Sequence, residues 1–254
     1  FEGASVAGRL ASWRNSMRLG QFLEDEILFR DVVQRIVAAT LSRARELFGA
    51  DYVPPEGVEG FIQISCPKDK PYAGWLRFYG THAELEVVRN TASPPYLVDL
   101  FRIVSHEVMH AIHKWNLLKV ALEQGWGEWT LVTLFDPICF QAEGVADLGQ
   151  ALLWPSDEAA FFIEDIHDTL GVSIDPVEVR AMLDLRPVFR ELGQEKIDAG
   201  VMYSCGMPWE KIKDHLLNNC LFSRDWVENH WVSFIETLRS YYFVYDLAHG
   251  YYEA

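Results

Sequence analysis

Residues 97–120 read LVDLFRIVSHEVMHAIHKWNLLKV. In this stretch Leu97, Phe101, Val104, Val108, Ala111, Trp115 and Leu118 recur at steps of four and three, the period of a helix buried along one stripe. A helix is therefore expected, and His106-Glu107-Val108-Met109-His110 sits on it. At about 100° per residue, His106 and His110 are neighbours one turn apart on the face roughly opposite the stripe, with Glu107 beside them.

Two imidazoles in consecutive turns can chelate one ion. Neutral imidazole nitrogen is a good ligand for Zn²⁺, and a pair of them leaves room for a third protein ligand and a water whose pKa the metal lowers. A carboxylate next to the first histidine can take that water's proton. In this H-E-x-x-H pattern His106 and His110 are the candidate ligands and Glu107 the candidate general base. Five residues can also fall this way by chance, so the surrounding sequence has to decide.

The deciding context lies about thirty residues on. Asp136-Pro137 reads as a helix cap followed by Pro at the first helical position, and Trp154-Pro155 closes the segment. Between them the charged residues are Glu143 and Asp147, spaced i, i+4 among Ile138, Phe140, Val145, Leu148, Leu152 and Leu153. Two carboxylates on one face of an apolar helix repel each other and resist burial unless a cation meets them. A metal site would do so, with Glu143 as third ligand and Asp147 accepting the free ring N–H of a ligand histidine. The plainer alternative is a half-exposed helix with two solvated acids.

His106-Glu107-x-x-His110 followed by Glu143-x-x-x-Asp147 on a second helix resembles the gluzincin group of zinc metallopeptidases. The likeness covers residues 93–154, and the helical oligopeptidase and carboxypeptidase branch, thimet-oligopeptidase-like and carboxypeptidase-Taq-like, is the nearest. The sequence departs from the group in lacking the Gly-x-Met-Glu-Asn of the aminopeptidase branch, and Val108-Met109 stands where the thimet branch commonly has Phe-Gly. The resemblance implies a zincin-like core, bound Zn²⁺ and a peptide or protein substrate. A metzincin pattern fails, because it needs Gly at 113 and His at 116 where this chain has His113 and Asn116. His113 extends the histidine stripe, either as a structural residue or as a group near the site.

Composition bounds the remaining possibilities. With 254 residues, half of them hydrophobic and 13% aromatic, the chain can bury a large core. A net charge of −15 with 22 Lys and Arg argues against nucleic acid or an anionic membrane as partner. No apolar run approaches the roughly 18 residues that a membrane span needs. The chain begins with Phe1, as a processed or trimmed chain would, and a removed signal peptide stays possible. Cys66, Cys139, Cys205 and Cys220 form no C-x-x-C pair, and Cys139 and Cys205 are expected as buried thiols. The compartment stays open, with the cytoplasm preferred to secretion.

Along the chain, residues 4–50 read as two helices parted near Gly20, and 51–60 as a loop. Phe61 to Ser65, Trp75 to Tyr79 and Ala83 to Val88 are short β-type runs expected to form a small antiparallel sheet. The gluzincin resemblance implies that such a sheet precedes the motif helix and pairs with an extended substrate. Helices are expected from Ser156 to about Leu170, from Asp175, along the apolar pattern Val188, Phe189, Leu192, Ile197 and Val201, and from Met207 to near Asn219.

The last stretch, from Ser223 to Tyr252, is helical in pattern and dense in rings. Tyr245 and His249 are i, i+4, and a Tyr O–H or His N–H facing the metal could stabilise an oxyanion; aromatic packing explains the same residues equally well. Arg239 could bind a substrate carboxylate or be a surface charge.

The expectation is thus an α+β, mostly helical single domain over 1–254, with a helical scaffold at 1–60, the sheet at 61–92, the metal-binding helices at 93–154 and a helical lobe at 155–254. It would act as a zinc-dependent peptidase with His106, His110 and Glu143 as ligands, Glu107 as base, Asp147 orienting a histidine, and Tyr245 or His249 stabilising the oxyanion. The alternatives are a catalytically inactive binding module and a zinc amidohydrolase acting on a non-peptide amide.

Overall fold

The computed structural model describes residues 25–54, 61–70, 72–89, 97–127, 137–171, 175–185, 192–222 and 224–238, together with 241, 243, 244, 247, 248 and 251. The helix expected before Gly20, Arg239, Tyr245 and His249 lie outside these residues. The fold is α+β and mostly helical, with one small sheet.

Helix α1 (Glu26–Phe48) starts where the Asp25 carboxylate accepts the N–H groups of Ile27 at 2.8 Å and Leu28 at 3.1 Å. It ends at Gly49, whose φ of +95° suits glycine. Phe29, Val32, Val33 and Ile36 bury one stripe of α1 completely.

The strands are β1 (Ile62–Ser65), β2 (Gly74–Phe78) and β3 (Ala83–Val87). Their order is β1-β3-β2, and the sheet is mixed rather than the expected antiparallel one: β3 pairs antiparallel with β2 but parallel with β1. β2 and β3 form a hairpin closed by the Tyr79 N–H donating to the His82 carbonyl at 2.8 Å. The eight-residue connection 66–73 lets β1 lie on the far side of β3. The strand with the most fully buried inner face, at Ala83, Leu85 and Val87, thereby takes the centre. Alternating hydrophobicity specifies a strand and its inner face but not the direction of its neighbour.

Helix α2 (Leu97–Gln124) carries the histidine motif and packs against α1, β2, β3 and two later helices, α3 (Pro137–Leu153) and α4 (Ser156–Leu170). Leu97, Phe101, Val104, Val108 and Ala111 of the predicted stripe are fully buried. The opposite face is covered too, at Ser105, His106, Met109 and His110. What covers it is α3, whose buried residues are mostly small or polar, Cys139, Ala142, Glu143, Gly144, Ala146, Gly149 and Gln150, with Leu153 buried at its C-terminal end; Leu152 is exposed. Small side chains let the helices approach so closely that a Cβ on Gly149 would stand 2.3 Å from Met109 Cε.

The chain continues through α5 (Pro176–Asp184), α6 (Gly193–Ser204), α7 (Trp209–Asn218), α8 (Arg224–Asn229) and α9 (Trp231–Leu238). Helix α4 begins at Ser156 as expected, with Pro155 in the cap place. The helical stretch expected from Ser223 is divided at His230 into α8 and α9. This division turns Trp231 into a second hydrophobic cluster with Ala199, Ile212, Leu216, Val227 and Ile235. Cys66, Cys139 and Cys220 are buried, but Cys205 is exposed at the end of α6, where its helix has run out of core to cover it.

Candidate metal centre

The facing sides of α2 and α3 carry nearly all the buried polar groups of that interface. Immediately before the motif, Gln150 Nε2 donates to Ser105 Oγ at 3.0 Å, and Ser105 in turn donates to the Phe101 carbonyl at 2.7 Å. This satisfied pair fixes the register of the two helices, since an unmet amide there would cost about 1–3 kcal/mol.

From the next residue of α2 onward, His106 Nε2 and His110 Nε2 converge with Glu143 Oε2 of α3. The two imidazole nitrogens are 3.0 Å apart, and the carboxylate oxygen lies 3.2 Å from His106 and 3.4 Å from His110. Donors about 2.0–2.1 Å from a tetrahedral zinc stand about 3.3–3.4 Å from each other. The triangle therefore has the size of one face of such a site, and His106, His110 and Glu143 fit the ion in donor type as well as spacing. Asp147, one turn after Glu143, takes the other side of His106: Nδ1 donates to Oδ1 at 2.8 Å. That bond turns Nε2 toward Glu143 and His110. His110 Nδ1 has no partner among the described residues.

The electrostatics of the cluster ask for positive charge at one point. Burial works against the His106 imidazolium, but hydrogen bonds to Asp147 and Glu143 outweigh it and push its pKa up to about 10. Burial likewise opposes the Glu143 carboxylate, and the nearby His110 charge with the His106 hydrogen bond holds it well below the usual carboxylate range. A proton on His106 would lie between the two carboxylates, and a divalent cation would compete with it.

Glu107 lies on the neighbouring face of the motif helix, against Gly74 of β2. Register in the β2–β3 hairpin puts Trp75 opposite Glu86 and Arg77 opposite Glu84, and the flanking bonds from Tyr79 to His82 and from Val88 to Ala73 make these the hydrogen-bonded pairs. The N–H and C=O of Gly74, Leu76 and Phe78 consequently face outward from the sheet edge. The outward N–H of Leu76 donates to the Glu107 carboxylate. Gly74 lets this approach happen: a Cβ there would stand 2.8 Å from Ile103 Cγ2 and 3.0 Å from Glu107 Oε1. Burial pushes the Glu107 carboxyl up, against the pull of His110 and His106.

His113, one turn beyond His110, has a buried Nδ1 without a partner among the described residues. Burial, with the His110 and Lys114 charges, lowers its pKa to about 4, so it is neutral near pH 7. Lys114 is half-buried on the Glu107 side of the helix, and burial lowers its ammonium against the opposing pull of Cys139, Glu143 and Glu107.

The residue that sequence reasoning missed is Tyr241. Its hydroxyl donates to Glu143 Oε1 at 2.5 Å, on the oxygen turned away from the histidines, and receives the Cys139 thiol at 3.8 Å. Tyr241 stands four residues before Tyr245 in the same ring-rich run. The composition of that run marked it as a source of hydroxyl donors, but nothing in a spacing of 98 residues says which tyrosine reaches Glu143.

No family model matches the chain, and no curated protein or solved structure matches it either.

Proposed function

We propose that this chain is a zinc-dependent peptide hydrolase of the gluzincin type, built on a zincin-like core. The observation that carries the reading is the convergence of His106 Nε2, His110 Nε2 and Glu143 Oε2 within 3.0–3.4 Å of one another, with Glu107 on the neighbouring face. Bound there, Zn²⁺ would supply Lewis-acid polarisation of a carbonyl and a water acidified to near neutrality. Glu107 would take the water's proton, and its burial suits that task by raising its basicity. Asp147 would hold His106 in the tautomer that offers Nε2.

The sheet edge supports a peptide as the substrate class. β2 and the turn that follows it run beside α2, from Gly74 against Glu107 to Gly80 near Leu118. Apart from the Leu76 N–H, which Glu107 takes, the outward N–H and C=O groups of β2 are those an extended peptide needs to add a strand, which would draw a scissile bond along the histidine helix. The position of Glu107 on α2 argues against a purely structural metal, because a structural site has no use for a carboxylate poised beside it.

The test is elemental analysis together with turnover of a mixed peptide library. Wild-type protein should carry about one zinc per chain. Glu107→Gln should keep the zinc and lose about 10²–10⁴-fold in rate, and His110→Ala should lose both. Undiminished turnover by Glu107→Gln would overturn the mechanism.

A further inference from the structure

We propose that Tyr241 is a positioning residue that makes Glu143 a one-oxygen ligand and so keeps a coordination place open beside it; this rests on the zinc reading above. The argument starts from the two oxygens of one carboxylate. Oε2 faces His106 and His110 at 3.2 and 3.4 Å, while Oε1 receives the Tyr241 hydroxyl at 2.5 Å. A carboxylate free to rotate can present both oxygens to a divalent ion. With Oε1 held by a short charge-assisted hydrogen bond, that rotation is opposed.

Burial makes the bond strong. Tyr241 is 7% exposed and Glu143 is 5% exposed, so little water competes. The hydroxyl is also held from its far side by the Cys139 thiol, one turn before Glu143 on α3. The ring is set in place from the C-terminal half of the chain: Phe243, two residues on, packs against the cluster around Trp231 and Ile235. Tyr241 therefore ties α3 to the C-terminal helices at the one carboxylate that would complete the metal triangle. Asp147 does for His106 what Tyr241 does for Glu143, and the two supports approach from different elements.

The test substitutes Tyr241→Phe, which keeps the ring and removes only the donor. Zn²⁺ affinity, measured by chelator competition, should fall about 10–100-fold. With Co²⁺ in place of Zn²⁺, the visible absorption of the wild type should be that of a four-coordinate ion, and that of Tyr241→Phe should weaken toward the five-coordinate pattern as Glu143 turns both oxygens inward. A merely structural tyrosine would lower the melting temperature without changing this spectrum. A second measurement needs no variant: the zinc-minus-apo infrared difference spectrum of the wild type should show the wide carboxylate splitting of a one-oxygen ligand, and a narrow splitting overturns the proposal. Equal Zn²⁺ affinity and an unchanged Co²⁺ spectrum in Tyr241→Phe overturn it as well, leaving the zinc site intact. A wild-type chain that takes up neither ion overturns both readings.

Discussion

His106 Nδ1 lies 2.8 Å from Asp147 Oδ1, so the first histidine of the motif is oriented by a carboxylate on another helix, forty-one residues along the chain. The bond fixes which nitrogen faces Glu143 and His110. Asp147→Asn keeps the shape but weakens the acceptor and removes the charge. Zn²⁺ affinity is expected to fall about 10–100-fold, as for other residues supporting a ligand histidine. Isothermal titration against a chelator measures it, and an unchanged affinity would leave Asp147 as a surface acid that happens to touch the ring.

Glu107 is a carboxylate pressed between the histidine helix and β2, and burial disfavours its charged form. Glu107→Gln replaces it with a neutral isostere that still accepts the Leu76 N–H. The metal-free variant should therefore be at least as stable as the wild type near pH 7 while turnover is lost, the trade expected where a site is built against stability. Differential scanning calorimetry of both proteins, stripped of metal, checks it; a markedly lower melting temperature in the variant contradicts it.

Gly74 marks the closest approach of β2 to the motif helix. Gly74→Ala puts a methyl group 2.8 Å from Ile103 Cγ2 and 3.0 Å from Glu107 Oε1. Overpacking of this kind costs about 1–3 kcal/mol. Because the displaced group is β2 together with Glu107, zinc content should be unchanged and kcat reduced. Ile103→Ala makes room, so the double variant should cost less stability than the sum of the singles. Strict additivity in chemical denaturation would mean that the strand simply moves away.

On the solvent face of the sheet, Glu86 accepts Tyr72 O–H at 2.5 Å and Arg77 Nη1–H at 2.9 Å. The Tyr72 hydrogen bond holds the Glu86 carboxyl below its ordinary range, against burial and with help from Arg77. A depressed acid stabilises the fold above its unfolded pKa of about 4.3 and loses that contribution as pH falls through the folded value. Tyr72→Phe should thus lower stability by about 1 kcal/mol at pH 6–7, a modest figure because the pair lies close to water. The gap from the wild type should close as pH drops below about 4. A gap that stays constant from pH 7 to pH 3 would show that packing, not the carboxylate, is responsible.

Much of this protein is legible in its sequence. The stripe from Leu97 to Ala111 and its burial follow from a 3.6-residue period, and the bounds of α3 follow from Asp136-Pro137 and Trp154-Pro155. The spacing of Glu143 and Asp147 likewise marked two acids on one helix face that needed cations. Local chemistry writes these features into the chain, because caps, periods and i, i+4 pairs involve residues close in sequence.

Tertiary structure decided what proximity in sequence cannot. It set β1 parallel to β3, since strand patterning carries no record of the partner's direction. It turned the small residues of α3 inward, so that two helices could approach until a carboxylate met two imidazoles. It selected Tyr241 from a run of similar rings, because the hydroxyl that reaches Glu143 is chosen by how the C-terminal helices pack and not by its distance along the chain.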